Sequence, residues 1–164
     1  MAVTVKRSFL QGDVPQFYVK DGGIVRLLTP ISVCLELQKK SRVYAVELLF
    51  KKGYESDGLS RPDFIGGWIK RFDFVNMLYN FAGFVHDWLY SRKGVIEKDF
   101  VLTRSECDDV FRGILRDAGV SRFKAGVMDW CVGVFAGGSK HWGNDSFGCC
   151  DKVVCSKLIC IDGR

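Results

Sequence analysis

The segment FVNMLYNFAGFVHDWLYSRK, residues 74–93, repeats its apolar side chains every three or four positions, as an amphipathic helix does. The repeating residues are Val75, Leu78, Ala82, Val85 and Leu89. Two later segments continue this spacing, one opened by the capping box Thr103-Arg104-Ser105-Glu106 and the other by Ser121. We therefore predict three helices, over residues 72–92, 103–118 and 121–137.

The chain before this segment has the pattern of β-strands. QFYVK and IVRLLT flank Asp21-Gly22-Gly23, which is a hairpin signal because glycine adopts the positive φ that such turns require. SVCLEL and RVYAVELLF follow, with partly alternating apolar residues and a short polar link between them. No strand pattern separates the helices, so we predict an α+β fold and not a parallel βαβ order. Its N-terminal antiparallel β-sheet, residues 3–52, packs against a C-terminal three-helix layer.

Composition excludes several classes of function. The 164 residues are 48% hydrophobic and 26% charged, close to the averages of globular domains. No apolar run reaches the roughly 20 residues of a transmembrane helix. The 24 Lys and Arg exceed the 19 Asp and Glu by five without forming a basic stripe, so no nucleic-acid partner is expected. The two histidines, His86 and His141, are too few for most zinc peptidases.

Cysteine is unusually frequent near the end of the chain. We divide the sequence into a single α+β domain, residues 1–142, and a Cys-rich irregular tail, residues 143–164. Free thiols, disulfides and a zinc site are the alternatives for this tail, although the C-x2-C pairs of most zinc sites are absent. A segment without clear periodicity gains most from a covalent link, so we predict at least one disulfide there and consider an interchain disulfide as well. The candidates are Cys149, Cys150, Cys155 and Cys160.

The first predicted helix carries polar residues among apolar ones. His86 shares a face with Gly83 and Tyr90, and Asp87 lies on the adjacent face. One interpretation is a set of buried polar groups that bond to the protein itself, because an unpaired buried polar group costs about 1–3 kcal/mol. The other is a functional site, in which His86 is a general base or Asp87 binds a cation beside a gap left by Gly83.

The second predicted helix offers a partner for this histidine. Asp108 lies at the edge of the apolar arc, whereas Asp109 points towards solvent. We expect Asp108 to lie within hydrogen-bonding reach of His86, directly or through one water molecule. Arg112, one turn further on, is the alternative partner of Asp108.

The loop GYESDGLSRP, residues 53–62, contains a carboxylate and hydroxyls between the sheet and the helices. Asp57 and Ser60 either form local turn hydrogen bonds around Gly58 or line a site.

Three ordered motifs carry a family resemblance. FKKGYESDGLSRPD, FVHDWLY and TRSECDDVF resemble the tailed-phage and prophage family catalogued as domain of unknown function 1353, over about residues 43–142. Members typically read G-[FY]-x-[ST]-D-x-A-S-x-P, then HD-x-LY, then SR-x-x-AD-x-[IF]-F. Leu59, Thr103 and Cys107 depart from this pattern, and the Cys-rich tail lies outside it.

The resemblance implies a phage-encoded protein whose activity is not established. We expect a virion accessory protein with a structural role at the tail or baseplate, made in the host cytoplasm and carried on the virion. Its partners would be other phage structural proteins, and Trp142 and Phe147 are expected to be exposed. A host-takeover protein that stays outside the virion is a further alternative.

HDWLY also resembles the H-D-x-x-Y helix of secreted phospholipases A2. There the histidine activates water, the next aspartate binds calcium, and a carboxylate on a neighbouring helix orients the histidine. This resemblance implies a small hydrolase, phospholipase-like or cell-wall-directed, although the glycine-rich calcium loop is missing. The catalytic candidates are His86, Asp87 and Asp108, and the substrate-binding candidates are Asp57, Ser60 and Tyr90. No cofactor is required, and a divalent cation on Asp87 would suit the hydrolase.

Overall fold

The first part of the chain forms antiparallel sheets, as the sequence predicts. The structure is a computed structural model that describes residues 2–59, 67–135, 142–145 and 150–161. Its strands are β1 (Val3–Gln11), β2 (Phe17–Val19), β3 (Val25–Leu27), β4 (Ile31–Lys39), β5 (Arg42–Phe50), β6 (Glu55–Ser56), β7 (Val95–Glu97), β8 (Phe100–Val101) and β9 (Val153–Cys160). The main sheet has the antiparallel order β1-β4-β5-β9. The predicted hairpin is β2 and β3, which form a second sheet with β6.

One face of the main sheet forms one side of the hydrophobic core. Alternate residues of β4 and β5 are buried, and those between them are mostly half-buried, as the period of two requires. The buried set is Ile31, Val33, Leu35, Leu37, Val46, Leu48 and Phe50. The helices lie over this face, so the predicted α+β architecture is confirmed.

The tail departs from the prediction, because residues 153–160 are not irregular. They form strand β9, which pairs with β5 and completes the main sheet. A register shift opposite Glu47 and Leu48 leaves Ser156 unpaired. The residues opposite the inward positions of β5 are therefore spaced by two, three and two, and this bulge conceals the strand period in the sequence. They are Val153, Cys155, Leu158 and Cys160.

The bulged strand also decides one disulfide question. Cys155 and Cys160 are free thiols. Five residues of strand separate their Cα atoms by about 15 Å, whereas a disulfide requires no more than about 7 Å. The predicted tail disulfide is therefore absent between these two. Cys149 and the side chain of Cys150 lie outside what the structure describes.

The described helices are α1 (Met77–Ser91), α2 (Arg104–Asp117) and α3 (Arg122–Phe135). Helix α1 begins later than predicted because Asn76 is its N-cap and accepts a hydrogen bond from Tyr79 N. The capping box of α2 is confirmed, with both of its bonds between Thr103 and Glu106 present. The hairpin β7–β8, which the sequence did not predict, separates α1 from α2. No helix in the described ranges is long and apolar enough to cross a bilayer.

Aromatic packing and one close contact position the helices. Phe81 and Phe84 of α1 pack on Phe50 of β5, with ring centroids 5.5 Å and 6.3 Å away. Helix α2 crosses β1 at Gly113, where a Cβ atom would lie 2.4 Å from a Val5 methyl carbon. Helices α1 and α2 therefore lie side by side over the sheet, and the candidate residues lie between them.

Candidate functional site

Helix α1 carries its polar side chains into the protein. All residues from Tyr79 to Tyr90 are buried except Asp87, which is half-buried. His86 is 5% exposed, between the rings of Tyr90 at 4.1 Å and Phe111 at 5.1 Å. This burial makes every polar contact of the imidazole consequential, because no bulk water replaces a lost partner.

Asp108 on α2 is the partner that the helical pattern predicted. His86 Nε2 lies 3.1 Å from Asp108 Oδ1, so the expected hydrogen bond is confirmed. The alternative partner, Arg112, bonds to Asp129 and Asp109 instead. Asp109 also accepts a hydrogen bond from Val3 N. The expectation that Asp109 points into solvent is therefore wrong, because β1 packs against that side of α2.

Tyr90 completes the contacts of Asp108. Its hydroxyl donates to Asp108 Oδ1 over 2.6 Å and accepts from Arg104 Nε at 3.2 Å. Trp142 packs edge-on against the Tyr90 ring, with centroids 5.1 Å apart. Trp142 is thus partly buried, contrary to the expectation of an exposed surface aromatic. The described contacts of Tyr90 hold Asp108 in place, and its predicted substrate-binding role stays a prediction.

Asp87 lies on the other side of the imidazole. Its Oδ1 is 3.9 Å from His86 Nδ1, and its Oδ2 accepts a hydrogen bond from Ser56 at 3.0 Å. The Ser56 hydroxyl is fully buried and also accepts from Gly58 N. The site therefore joins β6 and its loop to both helices.

The loop fills the gap that the sequence suggested beside Gly83. A Cβ atom at that position would lie 3.2 Å from a Leu59 methyl carbon and 3.5 Å from the Gly58 carbonyl group. Glycine there permits close packing of the loop and does not open a gap, so that expectation is wrong. Asp57 is half-buried on the same loop, and Ser60 lies outside the described residues. The predicted roles of both stay predictions.

Opposing effects determine the charge of the pair. Burial disfavours the imidazolium, but the hydrogen bond to Asp108 and the nearby carboxylate of Asp87 outweigh it and raise the pKa of His86 above 6.5. Burial likewise opposes ionisation of Asp108, but bonds from His86 and Tyr90 hold its pKa below 3.8. Burial and the bond to Asp108 raise the pKa of Tyr90, so that phenol remains a donor.

This arrangement allows His86 to bind a proton at one defined ring nitrogen, Nδ1, and to release it from the same atom. Asp108 accepts the Nε2–H bond and thereby selects the tautomer of the neutral ring, which leaves the lone pair on Nδ1. That nitrogen faces the side of Asp87, whose side chain is 31% exposed. A proton taken at Nδ1 gives an imidazolium between two carboxylates.

Metal binding has less support from the described residues. Among them, no group of three or more His, Cys, Asp or Glu side chains could hold a metal ion. A cation on Asp87 therefore stays a prediction. A separate groove of about 150 Å³ lies on the outer face of the main sheet, lined in part by Phe9, Cys34 and Glu47, away from the candidate site.

Sequence reasoning missed three contributors to the site. Ser56 stands at the hydroxyl position directly before Asp57 in the first motif, and that position was the available signal. Arg104 belongs to the third motif but was given no role. The contact between Trp142 and Tyr90 joins residues far apart in the chain, and nothing in the local sequence indicates it.

Comparison with known proteins gives one match. A family model described as "Protein of unknown function (DUF1353)" matches residues 32–132, from β4 to α3. No curated protein and no solved structure matches the chain. The matched region includes His86, Asp87, Asp108 and Ser56.

Proposed function

The chain belongs to the DUF1353 family of proteins of unknown function, and we propose that it is a small hydrolase with His86 as its general base. One observation carries this proposal: a buried imidazole is held at Nε2 by Asp108, with Nδ1 on the side of a half-buried carboxylate. The carboxylates of Asp108 and Asp87 flank the ring and stabilise the imidazolium, which is the form that a general base reaches when it accepts a proton.

In the proposed reaction, Nδ1 of neutral His86 takes a proton from a water molecule. The water oxygen attacks the acyl carbon of an ester or amide, and the bond to the leaving group breaks. The imidazolium then returns the proton to the leaving group, so protons balance and the ring is neutral again. Asp108 stabilises the charged ring, and Tyr90 and Arg104 are positioning residues because they act through Asp108.

In this proposal, the residues that bind the substrate lie on the loop after β6. Asp57 and Ser60 follow the buried Ser56, whose bond to Asp87 fixes the start of that loop. The proton transfer itself requires no cofactor. We additionally predict a divalent cation on Asp87. If it is bound there, a chelator should lower the rate of hydrolysis.

The biological setting follows from the tailed-phage resemblance. We place the protein on the virion as a tail- or baseplate-associated accessory, with other phage structural proteins as partners. Cys160, the exposed thiol of the described residues at the end of β9, is the group that an interchain bridge would use. Mass spectrometry of purified particles tests this, because detection in infected cells but not in particles contradicts it.

The activity is tested on purified protein with aryl esters, phospholipids and peptidoglycan fragments. General-base catalysis contributes about 10²–10⁴-fold to a rate, so His86→Gln and Asp108→Asn should lower kcat by that order. Asp99→Asn, in the exposed turn between β7 and β8, is the matched control and should retain the wild-type rate. Equal activity of His86→Gln and wild type would refute the assignment, as would a wild type inactive on all three classes.

A further inference from the structure

One end of the helical layer exposes a group of large apolar side chains, which we call the aromatic tip. Trp68 is 44% exposed, Phe74 57%, Val75 95% and Phe123 75%. Scattered single apolar residues are ordinary on protein surfaces, whereas exposed apolar side chains that lie together indicate an interaction site.

Two contacts link the segments that carry the tip. Trp68 and Phe123 pack together with ring centroids 6.1 Å apart. The Asn76 side chain donates to Ala118 O over 2.6 Å, which joins the start of α1, next to Phe74 and Val75, to the end of α2. Helix α3 begins only four residues later.

The backbone that carries Trp68 is anchored to the core and to α1. Ile69, the neighbour of Trp68, is 1% exposed and belongs to the core. The hydroxyl of Tyr79 donates to Lys70 O at 2.7 Å, which ties this segment to α1. The exposed rings are thus presented by anchored backbone.

Positive charge surrounds the tip. Residues 67–75 and 116–124, the two segments that carry the tip, contain five Lys or Arg and two Asp and so have a net charge of +3. Lys124 Nζ lies 5.6 Å from the centre of the Trp68 ring. The Asp73 carboxylate accepts hydrogen bonds from the backbone amides just before α1 and from Lys70. The Asp117 carboxylate accepts a hydrogen bond from Ser8. Both carboxylates are thus hydrogen-bonded within the protein, and that of Asp73 lies beside Val75 of the tip.

We propose that the aromatic tip binds the surface of an anionic phospholipid membrane. Trp and Phe side chains enter the boundary between head groups and acyl chains, and Lys and Arg beside them attract anionic head groups. A protein partner is less favoured because lysine is depleted in protein interfaces, whereas Lys70 and Lys124 flank this patch. The surface is distinct from the His86–Asp108 pair, and the proposal holds whether or not that pair is catalytic.

The test uses the full chain and vesicles of phosphatidylglycerol mixed with phosphatidylcholine, compared with pure phosphatidylcholine, in a sedimentation assay. We expect binding to the anionic vesicles, weakened by salt, and a blue shift of tryptophan emission that is lost in Trp68→Phe. Trp68→Ser with Phe123→Ser should weaken binding by on the order of tenfold or more. Lys124→Glu should weaken it by at least about fivefold, since each cation near such a surface contributes about 1 kcal/mol.

The matched control is Phe9→Ser, which removes an exposed ring on strand β1, away from the tip. Like Trp68, this ring has a cation near its face, because the Arg7 guanidinium lies 4.9 Å from the ring centre. This variant should bind vesicles as wild type does, and so should Asp108→Asn, which separates this proposal from the hydrolase. Circular dichroism confirms that each variant is folded. The proposal is overturned if wild type does not sediment with anionic vesicles at low salt. Equal binding to neutral vesicles, equal binding by the double variant, or capture of a protein partner without vesicle binding also overturns it.

Discussion

Replacing Asp108 by asparagine tests the ionic character of the central pair. Asparagine keeps the shape of the side chain and one oxygen acceptor, so the bonds from His86 at 3.1 Å and Tyr90 at 2.6 Å retain a partner but lose its negative charge. Hydrogen bonds to charged groups contribute about 1.5–3 kcal/mol, and neutral ones about 0.5–1.5 kcal/mol. Two bonds each weakened by about 1 kcal/mol or slightly more lower the free energy of unfolding by about 2–3 kcal/mol.

This loss should depend on pH in a definite direction. The folded pKa of His86 lies above 6.5, so the stability from its protonation is complete below pH 6.5 and disappears as pH rises through the folded value. The folded pKa of Asp108 lies below 3.8, so its contribution is complete above that pH and is lost as pH falls further. The destabilisation by Asp108→Asn should therefore be largest near pH 5–6 and smaller at pH 9, where the charge of the ring is gone but the neutral ring and Tyr90 still donate to the carboxylate.

Thermal unfolding at pH 5.5, 7 and 9 measures the effect. For a chain of 164 residues, 1 kcal/mol corresponds to about 2–4 °C, so Tm should fall by about 4–12 °C at pH 5.5. NMR titration of the histidine rings gives the pKa of His86 directly, with His141→Gln to assign the two signals. A wild-type pKa at or below 6.5 would refute the reasoning, and so would a loss of stability that does not change with pH.

Three further changes probe the surroundings of the site and the cysteines. Ser56→Ala removes both bonds of a fully buried hydroxyl and should cost about 1–3 kcal/mol in chemical denaturation. Gly58→Ala should destabilise far more than Gly119→Ala in the same assay, because both have positive φ but only the first Cβ would meet neighbouring backbone, at 2.6 Å; equal losses would contradict the packing argument. Cys160 should react with a thiol reagent in the native state well before Cys107, which is fully buried and whose pKa burial raises.

Local sequence predicted the fold where local patterns dominate. The period of α1, the capping box of α2 and the hairpin β2–β3 each depend on residues close together in the chain, and each was predicted. Strand β9 was not, because the bulge at Ser156 breaks its alternation and its partner β5 is more than a hundred residues away. The start of α1 was placed too early because Val75 was counted in the helical period, although Asn76, the next residue, is the cap.

The candidate site divides in the same way. The pairing of His86 with Asp108 followed from helical geometry, since both residues lie at the contact between neighbouring helices. The surroundings of Asp109 were misjudged because a helical wheel does not show that β1 packs on that face. A gap was expected beside Gly83, whereas the loop around Gly58 packs against that glycine, since sequence spacing carries no information on how closely a loop approaches a helix.

The pairing of β5 with β9 also affects synthesis of the protein. Tyr44 pairs with Cys160, so 116 further residues must be synthesised after Tyr44 before this pairing of β5 can be completed. At about 5–20 residues per second, the ribosome needs about 6–23 s to make that stretch. Throughout this interval β1, β4 and β5 can already associate, while one row of β5 amide and carbonyl groups faces other nascent chains. Slow translation or loss of the last dozen residues should therefore favour aggregation of newly made protein, even where the finished molecule is stable.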